Sequence, residues 1–549
     1  MLLAGWLAFT AVYSRGHGVS RQWRSSVNGA EAAIRTLADC GVTTCFANPG
    51  TSEMHFVAAL DTVPQMRGVL CLFEGVATGA ADGYGRMMEQ PAATLLHLGP
   101  GLANGLANLH NARRARTSLL AVVGDHATYH KRFDAPLESD IDALAGSVSG
   151  WVRRTARSKD IGSDAADAVA AALIPPGQIS TLILPADVTW SDGAEPGEPR
   201  ATRPPAPVPD VMVASAADVV RGAGSSGGEP NPVVILLGGS GLTRPALTAA
   251  SRIAAATGAR LFAETFAARH ERGAGVPHVD RLAYLVELAA AQLAGSGHLI
   301  LAGASAPVSF FAYPGKPSTP LPPGCQVHVL AAPGDDVPAA LAALADRVAP
   351  DGVPVPQLAG RPDVPDGELT GESAAAVIGA LLPEGAIICD EANTSGVWLP
   401  GATAGGPPHD WLSLTGGAIG QGLPVATGAA IACPDRPVLA LEADGSAMYT
   451  LSALWTHARE QLDITTVIFN NRSYAILNME LERTGASAGP AARGLLDLSR
   501  PDLDFTALAA GMGVPASRVT TAAELAVQLK NALAEPGPHL IDAALAPRR

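Results

Sequence analysis

Polar residues follow two neighbouring apolar strands near the carboxyl end of the chain. Asp444 comes after the apolar run 437–441. Asn471 follows the apolar run 464–469, and a helical stretch at 451–459 lies between the two runs. In such a βαβ unit the carboxyl ends of both parallel strands meet at one edge of the sheet. A carboxylate and an amide oxygen are ligands that suit Mg²⁺, which also takes phosphate oxygens. The spacing therefore predicts a metal site with Asp444 and Asn471 as ligands.

The residues after Asp444 extend this prediction to a phosphate group. Gly445 and Ser446 begin the next helix, and their backbone N–H groups can hold a diphosphate there. A lone Asp-Gly turn followed by an Asn pair is also common in ordinary loops, so the motif needs support from the rest of the chain.

Candidate catalytic groups lie in the first third of the chain. An Asn-Pro-Gly turn leads into a helix capped by Thr51 or Ser52, with Glu53 near its start. Glu74 lies between an apolar strand and a helix of small residues, where it is either a surface residue or a carboxylate held in an apolar cleft. His97 ends a strand before a Gly-Pro-Gly turn, and a single such histidine is as often structural.

Short apolar runs alternate with alanine-rich helical stretches along the chain, which predicts an α/β fold of three doubly wound domains with mostly parallel sheets. The predicted strands are 94–97, 119–123, 232–237, 299–302, 326–330, 386–390, 437–441 and 464–469, and the predicted helices include 29–40 and 75–88.

Two proline-rich segments divide the chain and read as linkers. We expect a disordered extension at 1–26, domains at 27–194, 211–348 and 369–549, and linkers at 195–210 and 349–368.

The composition excludes several classes of function. The 549 residues carry a net charge of −14, which argues against a general role on nucleic acid or at a membrane surface. The apolar stretch 2–13 is too short to span a bilayer. Six scattered cysteines without a CxxC pair are typical of a reducing compartment, so we expect a cytoplasmic protein.

Four segments in this order resemble a known family. They are NPGTSE from residue 48, LFEGVATGAADGYGR from residue 72, LTGGAIGQGLP from residue 414, and ADGS with the Asn pair from residue 443. The order is similar to that of the thiamine diphosphate (ThDP)-dependent 2-oxo acid decarboxylases and carboligases, which include acetolactate synthase and benzoylformate decarboxylase. The resemblance extends from Asn28 to the carboxyl terminus.

The resemblance implies ThDP and Mg²⁺ as cofactors and a small 2-oxo acid as substrate. It also implies that the three domains are pyrimidine-binding, central and diphosphate-binding. It assigns catalytic roles to Glu74, His97 and Thr51, and metal ligation to Asp444, Asn471 and the backbone oxygen of Ser473. Cofactor contacts are implied for Glu74 at the aminopyrimidine ring, Gly417 at its amine, Ile419 beneath the bent cofactor, and Asn393, Thr394, Gly445, Ser446 and Tyr474 around the diphosphate.

The family's sites lie between subunits, so a homodimer is the expected minimum and a homotetramer is common. Glu74 of one chain would then serve Asp444 of another. FAD is bound by true acetolactate synthases, but only the Gly-rich turn 237–241 hints at a nucleotide here, and we expect no FAD.

The sequence leaves open which of two reactions, those of two subfamilies, the protein catalyses. Thr51 and His97 stand where benzoylformate decarboxylase has a serine and a histidine, but its second histidine has no counterpart in 306–313, where Ala312 stands instead. Because a missing acid/base group slows protonation after CO₂ leaves, we expect acetolactate-synthase-like carboligation. Benzoylformate-decarboxylase-type aldehyde release is the alternative, and a non-catalytic ThDP-binding paralogue is a third. His126 and His130 are further candidates for the pocket, or members of a hydrogen-bonded loop.

Overall fold

The computed structural model describes residues 27–225 and 232–546, so the extension expected at 1–26 lies outside the described residues. The first segment contributes strands β1 (Thr44–Asn48), β2 (Arg67–Leu70), β3 (Ala93–Leu96), β4 (Leu119–Asp125), β5 (Trp151–Arg154) and β6 (Ile179–Pro185). Its helices are α1 (Gly29–Asp39), α2 (Met54–Ala59), α3 (Glu74–Met88), α4 (Leu98–Ala115), α5 (Ile141–Gly146), α6 (Ile161–Ala172) and α7 (Ala186–Trp190).

The middle segment follows the first proline-rich stretch. Its strands are β7 (Val233–Leu237), β8 (Arg260–Ala263), β9 (His270–Arg272), β10 (Asp280–Arg281), β11 (His298–Ala302) and β12 (Gln326–Ala331). Its helices are α8 (Asp210–Ser225), α9 (Arg244–Thr257), α10 (Val286–Leu293) and α11 (Val337–Val348).

The third segment has strands β13 (Ile387–Glu391), β14 (His409–Ser413), β15 (Val438–Ala443), β16 (Ile464–Asn470), β17 (Ala516–Val519) and β18 (His539–Ala544). Its helices are α12 (Gly371–Leu381), α13 (Leu399–Thr403), α14 (Gly422–Ala432), α15 (Asp444–Ala447), α16 (Ala453–Arg459), α17 (Ala475–Arg483), α18 (Pro490–Gly494), α19 (Phe505–Gly511) and α20 (Ala522–Ala532).

The strands form three sheets, in the orders β2-β1-β3-β4-β6-β5, β10-β8-β7-β11-β12 and β17-β18-β16-β15-β13-β14-β9. Neighbouring strands in these sheets are parallel, apart from the antiparallel pair β14 and β9. Helices flank the sheets, which confirms the predicted α/β class with mostly parallel sheets.

The predicted strands and helices are found with ends within two residues of those expected. Several observed strands were not predicted, among them β6, β14 and β18 inside the sheets and β9 at an edge. Strand β9 belongs by sequence to the middle segment, but it pairs with β14 at the edge of the third sheet. Its sequence His-Glu-Arg has no apolar pattern although His270 and Arg272 are buried, so a search for apolar runs cannot find it. The domain boundaries themselves stay predictions.

Helices α3 and α14 join the first segment to the third. A Cβ added at Gly83 would lie 2.1 Å from the Val425 backbone oxygen, and one at Gly428 would lie 1.8 Å from that of Ala80. Only glycine permits two helix backbones to approach this closely. This contact fixes the position of the first segment relative to the third within one chain.

Across the part of the chain that the structure describes, every helix is too short or too polar to cross a bilayer.

Candidate active site

Three turns of the third segment come together at the carboxyl edge of its sheet. The turn 393–395 follows β13, helix α15 follows β15, and residues 471–474 follow β16. The Asn393 side chain donates to Ser446 Oγ at 2.9 Å, and the Asn471 side chain donates to Ser395 Oγ at 3.3 Å. Sequence spacing placed the turns after β15 and β16 at one edge, and the family resemblance added the turn after β13. The hydrogen bonds connect the three turns directly.

Asp444 lies at the centre of this cluster and is 2% exposed. Its carboxylate accepts hydrogen bonds from the backbone N–H of Gly445 at 2.8 Å and of Arg472 at 2.6 Å. Burial raises the pKa of Asp444 to about 6, while these backbone donors oppose the rise. A divalent cation would stabilise the charged form further.

Asn471 and Ser473 lie beside Asp444. Asn471 Oδ1 accepts a hydrogen bond from the Ser473 backbone N–H at 2.9 Å. In the described residues no three His, Cys, Asp or Glu side chains gather into a metal site. One carboxylate with an amide and a backbone oxygen is an incomplete set that fits Mg²⁺, whose other positions go to water and phosphate.

Space for a ligand beside Asp444 depends on Gly445. A Cβ added there would lie 2.4 Å from Cε1 of Tyr474, whose ring covers the turn. The Gly445 backbone N–H donates to the Asp444 carboxylate. In the turn expected to bind the phosphate, the Ser446 end is therefore more available than Gly445. Thr394, in the turn after β13, is half-buried.

The loop 414–421 before helix α14 is held by a buried carboxyl group that sequence reasoning missed. Glu391 accepts from the backbone N–H of Gly420 at 2.7 Å and of Gly422 at 2.6 Å. Burial and the charge of Glu391 hold the pKa of the neighbouring Glu442 well above its usual range. Burial raises the pKa of Glu391 to about 7 while its backbone N–H donors oppose the rise, so Glu442 is the member of the pair that holds a proton more tightly. The position of Glu391 at the end of β13 was the available signal.

Gly417 and Ile419 lie on this loop, both half-buried. Gly417 has a φ of +76°, which favours glycine, and a Cβ there would lie 2.5 Å from Cζ of Phe310. The Asn111 side chain donates to the Ala418 oxygen at 2.7 Å. The loop is therefore held from three sides, and Phe310 was not singled out by the sequence.

Glu74 begins helix α3 and is 7% exposed. Its Oε2 accepts a hydrogen bond from the Asn104 side chain at 3.0 Å. The Asn108 side chain donates both to the Gly75 oxygen at 2.8 Å and to the Gly420 oxygen at 3.1 Å. The start of α3 is therefore fastened to the loop that carries Gly417.

His97 follows β3, and its Nδ1 lies 2.8 Å from Glu53 Oε2 and 3.3 Å from Ser52 Oγ. Glu53 is buried and also accepts from the Gly50 N–H at 2.7 Å. Ser52 makes the contact with His97, while Thr51 is exposed and its catalytic role stays a prediction. The sequence identified Glu53 only as a helix-start residue, because its pairing with a histidine 44 positions away is set by the sheet.

His126 and His130 follow β4, with ring centroids 5.5 Å apart. The preceding Asp125 is 1% exposed and pairs with Lys131 and Arg154. Ion pairs of Asp125 hold this loop, while His126 Nε2 is buried without a hydrogen-bond partner among the residues that the structure describes, so the role of the two histidines stays a prediction.

The fold and the cluster together define an α/β enzyme of the type that binds a diphosphate cofactor. The sequence matches the family models "Thiamine pyrophosphate enzyme, N-terminal TPP binding domain" over residues 27–145 and "Thiamine pyrophosphate enzyme, C-terminal TPP binding domain" over residues 394–543. It is 64% identical over 520 residues to the "Putative acetolactate synthase large subunit IlvX" of Mycobacterium tuberculosis, covering 94% of this chain and 98% of that one. The chain belongs to the thiamine pyrophosphate-dependent enzyme family.

Other relatives include decarboxylases. The benzoylformate decarboxylase of Pseudomonas aeruginosa is 30% identical over 540 residues, covering 93% of this chain and 97% of that one. Among solved structures, a 4-hydroxybenzoylformate decarboxylase of Rhodococcus jostii RHA1 has the same fold, with a TM-score of 0.82 and 24% identity over 95% of this chain and 100% of that one. A "putative thiamin diphosphate-dependent enzyme" of Mycobacterium smegmatis aligns with a TM-score of 0.77 and 25% identity, covering 95% of this chain and 100% of that one.

Proposed function

We propose that this protein is a ThDP- and Mg²⁺-dependent enzyme that decarboxylates a 2-oxo acid and joins the remaining fragment to a second carbonyl compound. The observation that carries the proposal is the meeting of the turns at 393–395, 444–446 and 471–474 around buried Asp444. The match to both ThDP-binding domain models supports the cofactor.

Asp444, Asn471 and the Ser473 backbone oxygen would hold Mg²⁺, and the Ser446 turn would hold the diphosphate. Bound ThDP supplies the electron sink that makes loss of CO₂ from a 2-oxo acid feasible. Glu74 is placed at a helix start, with one carboxylate oxygen on Asn104, so its other oxygen is available for the aminopyrimidine ring. Its role there is to hold or donate a proton at the ring nitrogen.

His97 is the proposed proton-transferring group for the substrate. Because a carboxylate only accepts hydrogen bonds, the contact with Glu53 places the imidazole proton on Nδ1 and leaves Nε2 available. On the side of the central segment, residues 306–312 carry no ionisable side chain. With one acid/base group instead of two, protonation is slower and attack on a second carbonyl is favoured.

Simple decarboxylation is the second candidate. The fixed Glu53–His97 contact favours it, since a positioned imidazole is suited to deliver a proton to the product. The 30% identity to a benzoylformate decarboxylase agrees with this alternative.

A homodimer is the proposed minimum assembly and a homotetramer the larger alternative, with Glu74 of one chain completing the Asp444 site of another. Exposed apolar side chains at Leu72, Tyr449 and Leu477, which are 49%, 56% and 44% exposed, support a covering partner near both half-sites. A reducing, cytoplasmic location is supported by six free cysteines. The absence of FAD stays a prediction.

The test is to incubate the ThDP- and Mg²⁺-loaded protein with a panel of 2-oxo acids, with and without excess acceptor aldehyde, and to identify products by mass. A ligated hydroxyketone supports carboligation, whereas aldehyde alone for every accepted substrate favours the second candidate. Binding of ThDP without turnover of any 2-oxo acid would contradict both, and would favour the non-catalytic paralogue.

A further inference from the structure

An aromatic cluster of the central segment lies against the loop proposed to contact the cofactor. We call Phe266, Tyr284, Phe310 and Phe311 the aromatic wall. The Phe310 ring occupies the space in which a side chain at Gly417 would stand, 2.5 Å from the added Cβ. The wall therefore borders the same loop whose Gly417 oxygen is the proposed contact of the cofactor amine.

The rings of the wall hold one another in place. Phe310 lies with its ring centroid 5.6 Å from Phe266, 5.3 Å from Tyr284 and 4.9 Å from Phe311. The interplanar angles of 70°, 57° and 68° are edge-to-face or tilted, as aromatic rings prefer. The position of the Phe310 ring is thus fixed by three neighbours in addition to Gly417.

The wall is apolar on its free side. The Tyr284 hydroxyl donates to Glu480 Oε1 on helix α17 at 3.3 Å, so it is used within the protein. The Ser309 hydroxyl donates to the Phe311 backbone oxygen. Phe310 and Phe311 remain 40% and 53% exposed in the single chain. Two exposed phenylalanine rings beside a polar cofactor site indicate that an apolar group of a ligand binds against them.

We infer that the aromatic wall binds the side chain of the substrate, and that the enzyme prefers 2-oxo acids with an aromatic side chain to pyruvate. This inference rests on the proposed function. A methyl group would leave most of both rings in water, while an aryl group can pack edge-to-face on Phe310 and cover Phe311. A charged side chain would find no ionisable partner in 306–312.

The experiment measures kcat/KM for benzoylformate, phenylpyruvate and pyruvate by CO₂ release, on the loaded holoenzyme. We expect wild type to favour an aromatic substrate over pyruvate, and Phe310→Leu to lower that ratio by about tenfold. Phe310→Tyr should retain the preference. Phe262→Leu is the matched control, because Phe262 is a buried residue of the central sheet on β8 and its loss should leave the ratio unchanged. If Phe310→Leu fails to fold, Phe311→Leu at an exposed position gives the same test.

The outcomes separate this inference from the function on which it rests. A wild-type preference for pyruvate, or a ratio that Phe310→Leu and Phe311→Leu leave unchanged, overturns the inference and leaves the proposed function standing. If these variants instead weaken the dimer in sedimentation with an unchanged ratio, the wall faces a second copy of the chain and the inference is wrong. ThDP binding without turnover of any substrate overturns both.

Discussion

Glu53 Oε2 lies 2.8 Å from His97 Nδ1, although 44 residues separate them along the chain. Strands β1 and β3 are neighbours in the first sheet, and the turn after β1 thereby meets the end of β3. The Glu53 side chain is 1% exposed and that of His97 is 25% exposed. The carboxylate is thus fixed inside the protein, while the imidazole keeps an accessible edge.

This contact predicts that Glu53 acts through His97. Glu53→Gln should lower kcat by about ten- to a hundredfold with ThDP affinity preserved, since the glutamine can donate as well as accept and no longer fixes the imidazole proton on Nδ1. In a His97→Ala background the same change should cost little, because its target is gone. Steady-state kinetics on the four proteins measures this. Additive losses in the double variant would show that Glu53 acts elsewhere.

Glu74 is predicted to be needed for activation and not for cofactor binding. Glu74→Gln keeps the shape and can keep the contact with Asn104, but it cannot share a proton with a ring nitrogen. We expect calorimetry to show ThDP bound, while turnover falls by a hundredfold or more, about 1.4 kcal/mol of barrier for each factor of ten. Exchange of the cofactor C2 proton, followed by NMR, should slow in parallel. Near wild-type exchange would remove Glu74 from this role.

Because the space beside Asp444 is narrow, one methyl group added at Gly445 should weaken ThDP binding. In Gly445→Ala the new Cβ would meet the Tyr474 ring at 2.4 Å, so either the turn or the ring must move. We expect ThDP to bind at least about tenfold more weakly in calorimetry with Mg²⁺ present, a cost of about 1.4 kcal/mol. Gly511→Ala is the control, because a Cβ there meets nothing within 4 Å. Unchanged affinity in Gly445→Ala would place the diphosphate elsewhere.

The buried histidines predict acid sensitivity of the fold. Burial lowers the pKa of His457 to about 4, and its Nε2 contacts Thr427 Oγ1 at 2.8 Å. The unfolded chain takes up the proton near pH 6.5, so stability is fully present above that pH and falls as pH drops towards 4, by up to about 3 kcal/mol. His457→Gln should flatten the decline of the thermal midpoint between pH 6.5 and 4. It should not abolish it, because burial also lowers the pKa of His409 to about 4.

The control for that experiment is His55→Gln, since His55 is exposed and loses little hydration on folding. An identical pH dependence in wild type and His457→Gln would show that protonation of His457 does not contribute to acid unfolding.

Much of the fold follows from the sequence because its strands are apolar runs. β15 and β16 were placed by their apolar residues, and the polar groups at their ends follow from the geometry of parallel sheets. Strand β9 was missed because its three residues are polar: His270 and Arg272 are buried, but no apolar run marks the strand. The predicted strands also did not include β6, β14 and β18, which lie inside their sheets. Local pattern therefore identified only some of the central strands.

The residues of the candidate site also fall into those that the sequence identified and those that it missed. Asp444 and Asn471 are marked by position after a strand, and the three turns were found together. Glu53, Glu391 and Phe310 were missed as site residues, because each is defined by a partner distant in sequence: His97, the amides at 420 and 422, and Gly417. Only tertiary packing brings those partners together.

The central claim is that Glu74 and Asp444 belong to one catalytic site built from two chains. Glu74→Gln and Asp444→Ala should each be inactive alone, the second through loss of Mg²⁺-dependent ThDP binding. When the two variants are co-expressed, or mixed after dissociation, each hybrid dimer should contain one intact site, and activity should return to about a quarter of wild type. A mixture that stays inactive, although hybrids are shown to form, would contradict the account.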